Sequence, residues 1–329
     1  MIDQPAHPAD RGLAAACSRE PLVDAITAFL AHAHARQMPE IRASLERVID
    51  EAGRGALDAL SVRLAGSGRD WNYYPGDPLA KEIHHVLAAR VLRDRPTITG
   101  IEHLAMVADR PVVLIANHLS YSDANLIDVV LEASGARALS DRLTVIAGPK
   151  VYSNLRRRFS SLCFGTIKVP QSATRSSAEA VMTPRDVARA ARRSIEIAHA
   201  RLARGDALLV FAEGNRSRAA AMQPFLPGVA RYLEPPATWV LPVAIAGTEH
   251  LFPIEGEALT PVPLAMHVGR PFAAADLRDR ARGDRRLMME CLGQLVAALL
   301  PVEYRGVYRT DAGTDRDRAA RRLAESLSR

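Results

Sequence analysis

The stretch VVLIANHLSYSDANLIDVV, residues 112–130, sets five apolar residues directly against Asn117 and His118 and places Asp123 five residues after the histidine. An apolar run of this length, rich in β-branched residues, reads as a strand buried on both faces, as the centre of a parallel sheet requires. On a regular helix, residues five apart point about 140° away from each other. His118 and Asp123 can therefore meet only if the backbone between them is a loop or a helix entry, which Ser120 and Ser122 favour as capping residues. A carboxylate on one imidazole nitrogen fixes the tautomer and leaves the other nitrogen to take a proton from a hydroxyl. A plainer account also fits: Asp123 caps a helix, and His118 is an ordinary polar residue at a strand end.

Outward from this stretch, apolar runs alternate with helical stretches. Strands are expected at 112–116, 143–147, 166–169, 207–212, 239–246 and 265–269. Between two of them Thr183-Pro184 opens a helix with Pro at its first position. Val187, Ala191, Ile195, Ala198 and Leu202 line one face of it, and Gly205 closes it. Strand, helix, strand in this order implies an α/β fold: a mostly parallel mixed sheet flanked by helices. Upstream, Leu22, Ile26, Phe29 and Leu30, then Ile41, Leu45, Val48 and Ile49, then Leu57, Leu60, Val62 and Leu64 recur at helical spacing, with breaks at Pro39, Gly53 and Gly55. WNYYPGDP (71–78) reads as a junction before a further helix in KEIHHVLAARVL. The expected organisation is a small helical N-terminal domain over 1–95, an α/β domain over 96–308, and a polar tail over 309–329 that is a surface helix or a frayed end.

The chain has 329 residues, 48% of them hydrophobic and 24% charged, enough apolar surface for a sizeable core. A net charge of +6 suits anionic partners such as phosphates, coenzyme A, acyl carrier protein or an acidic membrane face. Aromatic residues at 5%, with no recognition motif, argue against nucleic acid. Cys17, Cys163 and Cys291 lie far apart without a C-x-x-C pair, which speaks against disulfides or a zinc ribbon and for a reducing, cytoplasmic setting. MIDQPAHPADRG lacks the basic start and apolar run of a signal peptide. No window reaches the roughly 18 apolar residues of a spanning helix. A soluble protein or one peripheral to a membrane is expected. His84-His85 have no acidic or cysteine ligand pattern nearby, so no metal is expected, and Arg156-Arg157-Arg158 reads as a solvated or membrane-facing patch.

Ligands of such sheets gather beyond the carboxyl ends of the strands. Two polar clusters fall there: NHLSYSD after VVLIA, and EGNRSR (213–218) after ALLVFA. Gly214 and Asn215 tolerate a tight turn with positive φ, and Arg216 and Arg218 offer forked donors suited to a phosphate. Glu213 can hold an arginine or bind a substrate hydroxyl. Standing alone, the segment also reads as a solvated turn with an ion pair.

Together NHLSYSD and FAEGNRSR resemble two signature blocks of the glycerolipid acyltransferase family, N-H-x-x-x-x-D and F-x-E-G-T-R-S-R. IAGPKVYSNLRRRFSSLCFGTIKV (146–169) lies between them and LPVAIAGTEHLFP (241–253) follows, in the family's order; LPVEYRGVY (300–308) is similar to its usual end. The resemblance implies an acyltransferase in which His118 deprotonates an acceptor hydroxyl and Asp123 orients it. The donor it implies is acyl-CoA or acyl carrier protein, a co-substrate, with no cofactor. It places Arg216 and Arg218 on the acceptor phosphate, with Glu213, Gly214, Asn215 and Ser217 shaping the pocket. Asn215 stands where threonine is usual. The block 146–169 lacks the customary isoleucine-aspartate-arginine ending, so its basic role passes to Lys168, Lys150 or Arg175. The AGPKV opening and the tyrosine pair of WNYYPGD are similar to soluble plastid-type glycerol-3-phosphate acyltransferases, which tilts the expected acceptor toward glycerol 3-phosphate while leaving lysophosphatidate open. Two rival readings also fit the sequence: a non-catalytic lipid or acyl-carrier binding protein that keeps the fold, and a hydrolase releasing fatty acid to water.

Overall fold

A computed structural model describes residues 19–28, 34–91, 96–170, 182–251, 260, 263–309 and 313–328. Its strands are β1 Tyr73–Tyr74, β2 Thr97–Thr99, β3 Val112–Ala116, β4 Leu143–Ala147, β5 Gly165–Lys168, β6 Ala207–Phe211, β7 Trp239–Ala246, β8 Ala265–Val268 and β9 Phe272–Ala273. The main helices are α1 Arg19–Thr27, α2 Met38–Ala52, α3 Arg54–Gly66, α4 Pro78–Val91, α5 Asp123–Ala133, α6 Leu155–Ser161, α7 Pro184–Ala203, α8 Ala274–Arg280, α9 Arg285–Ala298 and α10 Asp315–Ser328. Two compact units divide the chain. One comprises 1–91, 147–194 and 255–261; the other comprises 92–146, 195–254 and 262–329.

The first unit is largely helical. Ile41, Leu45 and Ile49 of α2 and Leu60 and Leu64 of α3 are buried, as their spacing of three to four residues requires. Pro39 sits in the first turn of α2, where a missing N–H costs nothing, and Gly53 (φ +80°) separates the two helices. Gly55, expected to break a helix, instead lies in the first turn of α3, a position whose N–H has no intrahelical partner in any case. Within this unit β1 pairs antiparallel with β5, Tyr73 opposite Ile167 and Tyr74 opposite Thr166. The Lys168 ammonium, at the end of β5, donates to the Gly68 carbonyl at 2.7 Å and lies 4.5 Å from the centre of the Trp71 ring.

The second unit carries a mixed, mostly parallel sheet. β6 and β7 flank β3, both parallel to it; β4 pairs parallel with β6, and β2 with β8. β8 and β9 run antiparallel to β7. Every residue of β3 is fully buried, which accounts for the unbroken apolar run VVLIA. Register sets the site: Ala116 faces Phe211 of β6 on one side and Val243 of β7 on the other. The residues that follow β3, β6 and β7 therefore emerge beside one another. Residues 315–328 form α10, whose Ala320, Ala324 and Leu327 are buried. Among the described residues no helix is long and apolar enough to cross a membrane, and no group of three or more His, Cys, Asp or Glu could hold a metal ion.

Candidate active site

Asn117, the first residue past β3, is completely buried and its side chain imitates a peptide group. Its Nδ2 donates to the Ile245 carbonyl and its Oδ1 accepts from the Ile245 N–H, both at 2.9 Å. Two bonds to one residue of β7 extend the parallel ladder beyond the last backbone pair and fix the point from which His118 departs.

His118 Nδ1 lies 2.8 Å from Asp123 Oδ2. An ionised carboxylate only accepts, so the ring donates from Nδ1, and Nε2 is the nitrogen left to receive a proton. The imidazole stacks on Phe211, centroids 4.2 Å apart and planes 18° from parallel, and its side chain is 17% exposed.

Asp123 is the first residue of α5 and is 0% exposed. Oδ2 also accepts from the backbone N–H groups of Leu119 at 2.7 Å and Ser120 at 2.9 Å, while Oδ1 accepts from the Thr248 hydroxyl at 2.6 Å. Four donors satisfy a carboxylate that burial alone would penalise heavily. The helix entry is thus organised by Asp123 itself. Ser122 occupies the N-cap position without a side-chain capping bond, and the Ser120 hydroxyl accepts from the Ser122 N–H at 3.3 Å.

Beyond β6, Glu213 is 3% exposed. Its Oε1 accepts from the His118 N–H at 2.9 Å and its Oε2 from the Gln223 N–H at 2.8 Å, so one carboxylate joins the loop carrying the imidazole to the turn that follows β6. Burial pushes the Glu213 carboxyl up to about 7, against the opposing pull of these two amides and of the nearby imidazole. The Ser217 N–H donates to the His118 carbonyl at 2.8 Å, a second tie between the same loops. The Ser217 hydroxyl donates to the Ala221 carbonyl at 2.7 Å and accepts from the Ala219 N–H at 3.3 Å.

Gly214 adopts φ +72°, while the other positive φ in this turn falls at Ala220, not at Asn215. Arg216 stacks its guanidinium 4.4 Å over the ring of Tyr121, a residue of the histidine loop, and Arg218 is exposed. The structure therefore gathers His118, Asp123, Glu213, Gly214, Asn215, Arg216, Ser217 and Arg218 at the carboxyl ends of β3 and β6. Lys150, which is exposed, and Lys168 belong to the other unit; Arg175 and Cys17 lie outside the described residues. In that other unit Arg157 donates to the Lys150 carbonyl and the Ser153 hydroxyl, and Arg158 to the Tyr152 carbonyl, which ties two arginines of the basic triplet into the turn before α6.

Thr248 and Phe211 escaped the sequence reading. Thr248 lies two residues beyond β7, the position relative to its strand that His118 occupies relative to β3, and that placement is the signal the sequence offers.

Residues 95–246 match the family model described as Acyltransferase. No curated protein matches the chain. Among solved structures, the chain is similar to the 1-acyl-sn-glycerophosphate (LPA) acyltransferase PlsC from Thermotoga maritima, at 22% identity and a TM-score of 0.42, over 60% of this chain and 71% of that one. The matched segment contains β3, β6 and β7 and both polar loops of the His118 site. This segment, which carries NHLSYSD and FAEGNRSR, is similar to the Acyltransferase family.

Proposed function

We propose that the chain transfers a fatty acyl group from the thioester of acyl-CoA or acyl carrier protein to a hydroxyl of a phosphate-bearing glycerol, glycerol 3-phosphate or lysophosphatidate, in phospholipid synthesis. The observation that carries this reading is the His118–Asp123 contact at 2.8 Å beside a turn bearing Arg216 and Arg218. With Nδ1–H held by the carboxylate, His118 Nε2 accepts the proton of the acceptor hydroxyl as its oxygen attacks the thioester carbonyl. The tetrahedral intermediate collapses with cleavage of the C–S bond. The thiolate departs and takes up a proton, returned by the imidazolium or by water. No side chain serves as a covalent nucleophile. The two arginines supply planar, permanently charged donors for the acceptor phosphate. A net charge of +6 supports a peripheral contact with an anionic membrane face on the cytoplasmic side.

A panel of acyl-CoA and acyl carrier protein donors against both acceptors, read by mass spectrometry of the ester product, tests the proposal. Wild type forms acylated glycerol phosphate, and His118→Ala loses about 100-fold or more of the rate. Equal turnover by the two proteins contradicts the base assignment. Binding without turnover supports a binding protein, and free fatty acid formed without acceptor supports a hydrolase.

A further inference from the structure

Asp123 Oδ2 receives three N–H donors, from the His118 ring and the backbone of Leu119 and Ser120, whereas Oδ1 receives the Thr248 hydroxyl. With donors on Oδ2 alone, the carboxylate plane can tilt about the Oδ2 contacts. The Thr248 hydroxyl holds the second oxygen and so fixes the plane in which Oδ2 meets the imidazole.

Thr248 is itself held in place. It is 0% exposed and follows Gly247, whose φ of +93° is the left-handed conformation and whose missing Cβ leaves room for the Pro263 carbonyl, 2.3 Å from where that atom would stand. Three residues earlier, Ile245 is bonded twice to the Asn117 side chain. The end of β7 and the start of the histidine loop are thus one hydrogen-bonded assembly, and Thr248 is its contribution to the carboxylate.

We infer that Thr248 is a positioning residue of the general base, fixing through its hydroxyl the orientation of Asp123 and hence of His118. The inference rests on the acyltransferase reading for its effect on rate, and on geometry alone for its effect on the imidazole. Valine reproduces the shape of threonine without the donor, and serine keeps the donor without the methyl group, so the pair separates hydrogen bonding from packing.

The test compares wild type, Thr248→Val and Thr248→Ser by steady-state acyl transfer and by the proton resonance of the His118 Nδ1–H. In Thr248→Val, kcat falls about tenfold, the size expected for loss of one hydrogen bond to a charged group, and KM for either substrate stays within about twofold. The downfield Nδ1–H resonance, sharp in wild type and in Thr248→Ser, broadens away in Thr248→Val. Retention of both rate and resonance by Thr248→Val overturns the inference, as does their loss in a folded Thr248→Ser. Should Thr248→Val fail to fold, Thr248→Ser decides alone by the same two readouts. The resonance needs no substrate, so a wild-type protein that transfers no acyl group retires the functional reading while the spectrum still judges Thr248.

Discussion

Glu213 is a buried acid whose oxygens hold two main-chain amides, and its protonation couples to folding. Burial raises it from an ordinary 4.5 to about 7, so between these values the folded chain holds a proton that the unfolded chain has released. Its contribution to stability is therefore complete below about pH 4.5 and is lost as pH rises through about 7. At roughly 1.4 kcal/mol per unit, the loss is about 3 kcal/mol. Urea unfolding at pH 5 and pH 8 should show most of this decline in wild type, and Glu213→Gln, which does not titrate, should be flatter by about 2–3 kcal/mol. Identical declines in the two proteins would assign the effect to other groups. The sequence shows Glu213 as the head of a motif, yet its partners are backbone groups of His118 and Gln223, which carry no residue-type signal. Thr248 is less legible still, because a buried threonine is chemically ordinary until its acceptor is known.

At the scale of elements, the strands that build the site announce themselves as apolar runs, and β3, β4, β6, β7 and β8 lie where those runs are. The helix opened by Pro184 and closed near Gly205, which adopts φ +91°, was equally readable from its punctuation. Strands β1, β2 and β9, two or three residues long, are too short for a period to emerge and are formed by their partners. The C-terminal block is another element whose role only contacts reveal. Gly306, at φ +50°, allows the Met222 carbonyl to stand 2.0 Å from where a Cβ would be. The Met222 N–H donates to the Tyr304 carbonyl, and the Phe225 N–H donates to the Tyr308 hydroxyl at 2.9 Å. This block thus braces residues 222–225, the segment whose Gln223 amide engages Glu213. Tyr308→Phe leaves the Phe225 N–H buried without its acceptor and should lower stability by about 1–3 kcal/mol. A melting temperature equal to that of wild type would show that the brace does not depend on this bond.

For the whole molecule, composition indicates a globular chain and the alternation of strand and helix indicates a parallel sheet, both of which follow from local pattern. The compact units are discontinuous: 147–194 falls with the N-terminal helices and 195–254 with the histidine loop. Discontinuity of that kind is set by long-range contacts, which the spacing of apolar residues along one segment does not encode. The same limit applies to the site, since His118 and Asp123 are near neighbours in sequence, whereas Thr248 and Glu213 come from other strands and depend on register. For Glu213 the resemblance of the signature blocks supplies what register does not, and the match over residues 95–246 supports it; Thr248 lies beyond that match and emerges only from its contact with Asp123.

In the proposed reaction a buried carboxylate, Asp123, orients His118 as the base for acyl transfer. Asp123→Asn presents an amide where one oxygen now accepts and so disrupts the donor pattern around the imidazole while keeping its volume. Steady-state acyl transfer to glycerol 3-phosphate at saturating donor should show kcat lowered about 100-fold or more, with KM for the acceptor changed by no more than about twofold. A kcat for Asp123→Asn within about twofold of wild type would contradict the account.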